Sequence, residues 1–266
     1  MRTKVRVSYG GVQLDSLDDS IIIQRVDELA PQYGQTLTSR GNGYGQIQTA
    51  AEKKYRDVTV RFAIAEFTDL VRRQEVLQAV RDWAAVSSGW LLLNYRADQR
   101  LYVRCVAMPA VNGIRKAADE YAVTFRTTAR PEWEARTANT AEAKNKKTGS
   151  VILKVTPSGG GRLRMAAVNN TSSVCNSVTI SIGSQKIALT SLGLAAGETL
   201  QISYVNETDI QRIRIQNTAG SWRSVLNKRS ADSSDDIILA AGSNTISISS
   251  SVNLTWTLSC YGVWPG

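Results

Sequence analysis

Apolar residues recur at every second position through most of this chain, and with the spacing of a helix in only one place. In 58-VTVRFAI-64, Val58, Val60, Phe62 and Ile64 alternate with Thr59, Arg61 and Ala63. A period of two puts one set of side chains on one face of a strand. VRVSY (5–9) and VQL (12–14) flank Gly10-Gly11, which predicts a hairpin. Ile21 to Ile23 is a short β-branched run. WLLLNY (90–95) and LYVRCVA (101–107) flank the loop-like RADQR, and YAVTFRT (121–127) places Tyr121, Val123 and Phe125 on one side.

The exception is 68-TDLVRRQEVLQAVRDWAA-85. Thr68 is a candidate N-cap, and Asp69 complements the positive end of the helix dipole. At 100° per residue, Leu70, Val76, Leu77, Val80, Trp83 and Ala84 share a face opposite Gln74, Glu75, Gln78, Arg81 and Asp82. Arg73 falls inside the apolar stripe, where its stem is expected to lie flat and its head to reach water. Such a stripe needs a partner, and the flanking strands predict a sheet for it to cover.

Periodicity fades in 131-PEWEARTANTAEAKNKKTGS-150, which reads as a linker. Beyond it Ser, Thr, Asn and Gly dominate, with short strands at SVILKVT (150–156), SVTISIG (177–183), TLQISYV (199–205), RIRIQN (212–217), DIILAAG (236–242), NTISISS (244–250) and LTWTLSCYGVW (254–264). The expected organisation is 1–135, a linker over 136–149, and a β-sandwich over 150–266. The fold class is mainly β, with a sandwich-like first domain covered by one α-helix and a second, all-β sandwich.

Composition removes several kinds of chemistry. With no His among 266 residues, a Ser-His-Asp or Cys-His site cannot form within the chain. The three Cys, at 105, 175 and 260, have neither zinc nor disulfide-framework spacing and read as free thiols. The start, MRTKVRVSYGG, has no apolar core of a secretory signal, and no run of about 18 apolar residues predicts a membrane helix. The net charge of +9 divides evenly among the three expected segments, +3 over each of 1–135, 136–149 and 150–266. A nucleic-acid reader concentrates its charge on one face, so even spreading favours a solvated surface.

No motif supplies a site. SRGNGYGQ (39–46) is Gly-rich but lacks the Lys-Ser/Thr of a phosphate loop, and reads as a projecting loop beside EKKYR (52–56). LDSLDDS (14–20) and SADSSDD (230–236) cluster carboxylates without the calcium-loop pattern. No catalytic residue, cofactor or metal site is expected. Asn169, Asn206 and Asn253 head Asn-x-Ser/Thr triplets that carry no weight without a secretory signal. Tyr204, Trp222, Trp256, Tyr261 and Trp264 are core or interface aromatics first and sugar platforms second. Trp222, in the polar stretch 218-TAGSWRS-224, is the candidate for glycan stacking.

The order of these elements resembles the distal tail protein family of siphophages. The carrying pieces are RDVTVRFAI (56–64) before the helix, the helix ending DWAA, WLLLNYRADQRLYVRC, and FRTTARPEW (125–133) closing the first half. In the second half, LAAGETLQIS (194–203), RIRIQNTAG (212–220), ILAAGSNTISI (238–248) and the terminal GVW (262–264) resemble that family's galectin-like or carbohydrate-module-like sandwich. The resemblance implies a non-enzymatic virion protein, made in the host cytoplasm and built into the end of a long non-contractile tail, or into a prophage's equivalent. It implies a homohexameric ring between the tail tube and the tail-associated hub protein, with DNA passing through the lumen. It further implies outward sandwiches that hold a receptor-binding protein or contact a cell-surface glycan. On that basis Arg40, Lys53, Lys54 and Arg56 are candidates for ring or tube contacts or for the lumen. The alternative is a stand-alone, lectin-like carbohydrate-binding sandwich.

Overall fold

The computed structural model describes residues 4–39, 46–65, 69–109, 120–157 and 159–264, with backbone alone over 35–39 and 46–52. The chain divides into two compact units, one built on Met1–Trp133 and the other on Glu134–Val205 with Asp209–Pro265. No helix among the described residues is long and apolar enough to cross a membrane.

The first unit contains β1 (Val7–Tyr9), β2 (Val12–Gln13), β3 (Ile21–Glu28), β4 (Gln32–Ser39), β5 (Gln46–Tyr55), β6 (Asp57–Ile64), α1 (Leu70–Ala84), β7 (Gly89–Leu93), β8 (Gln99–Ala107) and β9 (Tyr121–Thr127). Seven of these strands form one path, β2-β1-β7-β8-β9-β6-β3, with antiparallel neighbours. The Gly10-Gly11 turn pairs Tyr9 with Val12 and holds both glycines at positive φ, +60° and +88°. A two-residue turn of that hand matches the twist of the strands it joins.

Alternation in the strands yields one apolar face. Val7, Tyr9, Ile21, Val58, Val60, Phe62, Leu91, Leu101, Val103, Val123 and Phe125 are all buried. Helix α1 lays Val76, Leu77, Val80, Trp83 and Ala84 on this face. The Trp83 ring meets Tyr9 and Phe125 edge-on, with centroids 5.8 and 5.6 Å away, and its Nε1 donates to the Val12 carbonyl at 3.0 Å. A large ring is thus buried with its one polar atom satisfied.

Three details of the helix differ from the sequence reading. Asp69, rather than Thr68, is the N-cap, accepting from the Val71 and Arg72 amides at 2.9 and 3.0 Å, while Thr68 lies outside the described residues. A carboxylate there satisfies free amides and favours the dipole at once. Leu70 is 41% exposed. It opens the helix, one turn before the first buried residue of the stripe. Arg73 does not reach water. It is 5% exposed, and its guanidinium carbon lies 5.9 Å from the centre of the Tyr121 ring. In the middle of the stripe the side chain points at the sheet, so the cation settles against an aromatic face.

The chain passes between units within β10 (Trp133–Ala135). The second unit contains β11 (Asn139–Val155), β12 (Gly161–Val168), β13 (Val178–Ile182), β14 (Gln185–Leu189), β15 (Thr199–Tyr204), β16 (Gln211–Gln216), β17 (Trp222–Ser224), β18 (Ile238–Leu239), β19 (Gly242–Cys260) and β20 (Val263–Trp264). The strand path is β14-β13-β19-β12-β15-β16-β17. Its organiser is β19, whose first half pairs with β13 and whose second half pairs with β12. Both halves pair with β11, from Asn139↔Cys260 to Val155↔Gly242. The two long strands thereby carry the ladder from one layer of a sandwich to the other around a shared core.

This overturns the expected linker over 136–149, because residues 139–149 are strand. The side chains from Lys144 to Ser150 are all exposed. A strand held by its main-chain ladder, with neither face covered, shows no alternation to read. Likewise NTISISS and LTWTLSC are one strand, not two. The strands β12, β14 and β17 were not among the expected ones.

The packing of α1 can be tested by urea unfolding. Trp83→Ala is expected to destabilise the first unit by about 3–5 kcal/mol, through lost contacts and a residual cavity, and to leave the transition of the second unit in place. One common shifted transition would show that the units are not separable. An unmoved curve would contradict the burial of Trp83.

Candidate assembly site

Among the described residues, strands β4 and β5 pair only with each other, from Gln32↔Tyr55 to Ser39↔Gln46. The two strands form a ribbon off the sheet path on either side of 40–45, the centre of the expected projecting loop, which lies outside the described residues. Two-stranded ribbons are marginal alone, so what fixes the root decides where the ribbon stands. At Gly34 a Cβ would lie 2.1 Å from Lys54 Cε, so the bare glycine lets the Lys54 stem cross the partner strand.

The root is anchored by charge and stacking. Lys53 Nζ donates to Glu132 Oε1 at 3.1 Å. The Tyr55 ring lies under the Arg126 guanidinium, 3.9 Å from centroid to carbon. Arg126 in turn makes a two-pronged bond to Asp57, 2.8 Å at each prong. The main chain of Arg56 is clamped to β9, its amide donating to Thr127 Oγ1 at 2.9 Å and its carbonyl accepting from the Thr127 amide at 3.0 Å.

The four candidate cations therefore separate. Arg40 lies outside the described residues. Lys54 is exposed, and Lys53 is exposed but paired. Arg56 is 6% exposed and is an internal group of the unit, not a displayed one, which removes it as a lumen-lining cation. Burial lowers its pKa first, offset by Glu28 and Glu132 and reinforced by Arg96. Glu28 accepts from Tyr95 Oη and Arg96 Nε, both at 3.0 Å, and the Arg96 guanidinium carbon sits 4.9 Å from the Trp133 ring centre. Burial, then the Glu28 charge, raises the Tyr95 pKa. Glu28, Tyr95, Arg96 and Glu132 were not singled out in the sequence. They come from three separate segments and show no shared spacing, so only the fold brings them to the ribbon root.

In the second unit Trp222 lies on edge strand β17, not in a loop, paired with Gln216 of β16. It is 41% exposed, but the Arg214 guanidinium carbon lies 3.8 Å from its ring centre. Arg214 is held by Gln201 Oε1 at 3.0 and 2.8 Å. One face of the indole is therefore already covered by a fixed cation.

No family model matches the sequence, and no curated protein matches it. Among solved structures, the SPP1 Dit protein superposes with a TM-score of 0.71 and 14% identity, over 97% of this chain and 99% of that one. The chain has the Dit fold. The match extends over both units, so the Dit-like part is not confined to the first unit. A chain of the phage P2 baseplate, in its activated conformation with Ca, superposes with a TM-score of 0.53 and 8% identity, over 97% of this chain and 98% of that one. The SPP1 protein is described as a paradigm of the hub adsorption apparatus in phages that infect Gram-positive bacteria.

Because the ribbon shares no ladder with the Dit-like sheet among the described residues, it can be removed without opening that sheet. Gly34 and Glu52 are cross-strand partners, so replacing 35–51 with Asn-Gly closes a two-residue hairpin. The shortened chain is expected to keep its strand circular dichroism and to lose no more than about 1 kcal/mol of stability, on the scale of surface changes away from the core. Loss of the folded first unit would show that the ribbon is integral to it.

Proposed function

We propose that this chain is a hub subunit at the distal end of a long non-contractile phage tail, where copies close into a ring, six by the reading above, between the tail tube and the tail-tip hub. The observation that carries this is the end-to-end Dit fold, 97% of this chain on 99% of the SPP1 protein. In this reading the first unit builds the ring and touches tube and hub protein. The second unit faces outward, towards a receptor-binding protein or a cell-surface glycan, and DNA crosses the lumen. The role is architectural rather than enzymatic.

Features of the first unit support it. Strand β3 ends the sheet path with no further ladder partner among the described residues, and displays Ile22 at 49% exposure. Open edges of that length are usually shielded in a monomer. Val71 of α1 is 70% exposed, and Val12, Val86 and Met108 are each more than 40% exposed. A head-to-tail contact that closes into a ring covers such surface without starting a filament. A ribbon with weak internal support is suited to ordering against a neighbouring subunit or ring, with Lys54 and Arg40 as its proposed contacts.

Native mass spectrometry of the full chain tests this. At about 10 µM, where interfaces worth more than about 7 kcal/mol are populated, the dominant species is expected at six times the 29.0 kDa chain mass. The ribbon-shortened chain is expected to need at least about tenfold more protein to reach the same state. A full chain that stays monomeric at that concentration would overturn the ring.

A further inference from the structure

Strand β14 stands at one end of the strand path of the second unit, with β13 as its one ladder partner among the described residues. Ile187 and Leu189 anchor it in the core, 2% and 0% exposed. In an antiparallel strand the main-chain groups of alternate residues face opposite neighbours. An end strand therefore offers a row of amides and carbonyls to any other strand that reaches it.

Here that row is already occupied. The Thr190 amide donates to Lys228 O at 3.0 Å. The Ala188 carbonyl accepts from the Ser230 amide at 2.9 Å, and the Lys186 carbonyl from the Ser234 amide at 2.6 Å. The amides of the same two residues donate to side chains, Ala188 to Ser233 Oγ and Lys186 to Ser234 Oγ, both at 3.0 Å. At the start of the strand the Gln185 side chain closes the row. Its Nε2 donates to Ile238 O at 3.1 Å, and its Oε1 accepts from the Ile238 amide at 2.6 Å. Ion pairs fix the covering segment. Lys186 Nζ pairs with Asp232, Arg229 Nη2 lies 3.0 Å from Asp235 Oδ1, and Arg162 Nε of β12 lies 3.2 Å from Asp236 Oδ2.

The cover is not itself a strand. Apart from one isolated bridge, Leu189↔Arg229, the segment 229–236 has no strand pairing. The Ser233 amide turns back to the Ser230 carbonyl at 3.0 Å, and Ala231, Asp232 and Asp235 project into solvent. A further strand at this place would only move the open edge outward by one position. A bent segment that supplies serine hydroxyls where a strand would supply carbonyls satisfies the edge and presents no new ladder, so the sheet ends here. That is a use for serine and aspartate in 230-SADSSDD-236 that needs neither a metal nor a ligand.

We propose that residues 228–236 are an edge shield, and that the partner they exclude is a second copy of this chain. Two copies of one bare edge can meet antiparallel about a two-fold axis. Wherever copies stand side by side, the shield keeps their second units from fusing through β14. This inference does not depend on ring formation, because its reference is the association state of the unaltered chain, whatever that is. Static light scattering on the full chain tests it, with Asp232→Ala, Ser233→Ala and Ser234→Ala combined to remove both hydroxyls and the Lys186 pair. At about 100 µM, where pairs with a Kd of about 0.1 mM are substantially populated, the weight-average mass of the triple variant is expected to rise towards about twice that of the unaltered chain. Adding Ala188→Pro, which deletes an outward amide at an edge position that tolerates proline, is expected to restore the original mass. In the unaltered chain, amide exchange at Lys186 and Ala188 is expected to be at least about tenfold slower than in an unstructured chain. Three results would overturn the shield: a triple variant that keeps its strand circular dichroism and does not gain mass, a gain that survives Ala188→Pro, or unprotected exchange at both amides. If the triple variant loses its fold, the exchange measurement decides alone.

Discussion

The second unit depends on one physical condition, that β19 keeps its inward phase for nineteen residues. Asn244, Ile246, Ile248, Ser250, Leu254, Trp256, Leu258 and Cys260 are all buried, each an even-numbered position. A slip of one residue would turn all of them to solvent. The phase survives the bend although the register with β11 breaks there on both strands, Ala143 to Lys146 spanning Trp256 to Leu254 and Lys146 to Thr148 spanning Leu254 to Ser249. Register shifts lie at Ala143/Lys146 and Lys146/Thr148 of β11, where Asn145 takes a φ of +53°. Two inward side chains of β19 bridge the same place, Trp256 Nε1 donating to Lys146 O at 2.9 Å and Ser250 Oγ to Lys147 O at 3.2 Å. With β19 fixed, β12 is fixed beside it, and so is Arg162, which pairs with Asp209 at 2.7 Å and with Asp236 at 3.2 Å.

The first unit solves a different problem. Its sheet is stabilised by burial under α1, whereas its ribbon is stabilised by contacts worth little individually. A partly exposed pair such as Lys53–Glu132 contributes about 0–1 kcal/mol. The Arg126 stack on Tyr55 adds about 0.5–1 kcal/mol at such a site. These magnitudes locate the root but do not make the ribbon a second core. A strong core next to a weakly supported extension is what coupled assembly requires, since the extension gains most of its order only when a partner supplies the missing face.

How far the sequence disclosed this depends on which force acts at each position. Where burial rules, the reading succeeds. Val58, Val60, Phe62 and Ile64 are inward as their alternation requires, and the helix meets the sheet through Trp83. Where main-chain pairing rules, it fails. Lys144 to Gly149 have no apolar pattern, yet belong to β11, whose ladder with β19 is the longest among the described residues. In 248-ISSSVNL-254 the serines look like a turn, although Ser250 is buried in phase with Ile248 and Leu254. The missed β12 reads GRLRMAAV, where Arg162 and Arg164 take the outward positions of the first half and small residues obscure the apolar face. The ion pairs of the acidic stretch 230–236 were not legible at all. Arg162 lies on β12, far along the chain from Asp236, and the stretch looked solvated because its pairing with Arg162 and Arg229 exists only in three dimensions.

The same pairing accounts for the positive charge. Arg61 meets Asp27 and Glu120, each at 2.7 Å, Arg126 meets Asp57, and Arg223 meets Glu198 at 2.9 Å. Others are spread over aromatic rings, such as Arg100 on Trp90 and Arg164 on Tyr261. A guanidinium engaged in this way has less to offer a phosphate, and affinity for nucleic acid grows with the number of phosphates neutralised by free cations. A surface with charge of both signs interleaved at contact distance therefore presents little net attraction to a polyanion, despite a formal +9. In the proposed ring this is a useful property, since a conduit that held each passing phosphate would slow the DNA it has to release. The basic composition then reflects the geometry of arginine, which can pair, stack and cover apolar surface with one side chain, more than any requirement to bind DNA.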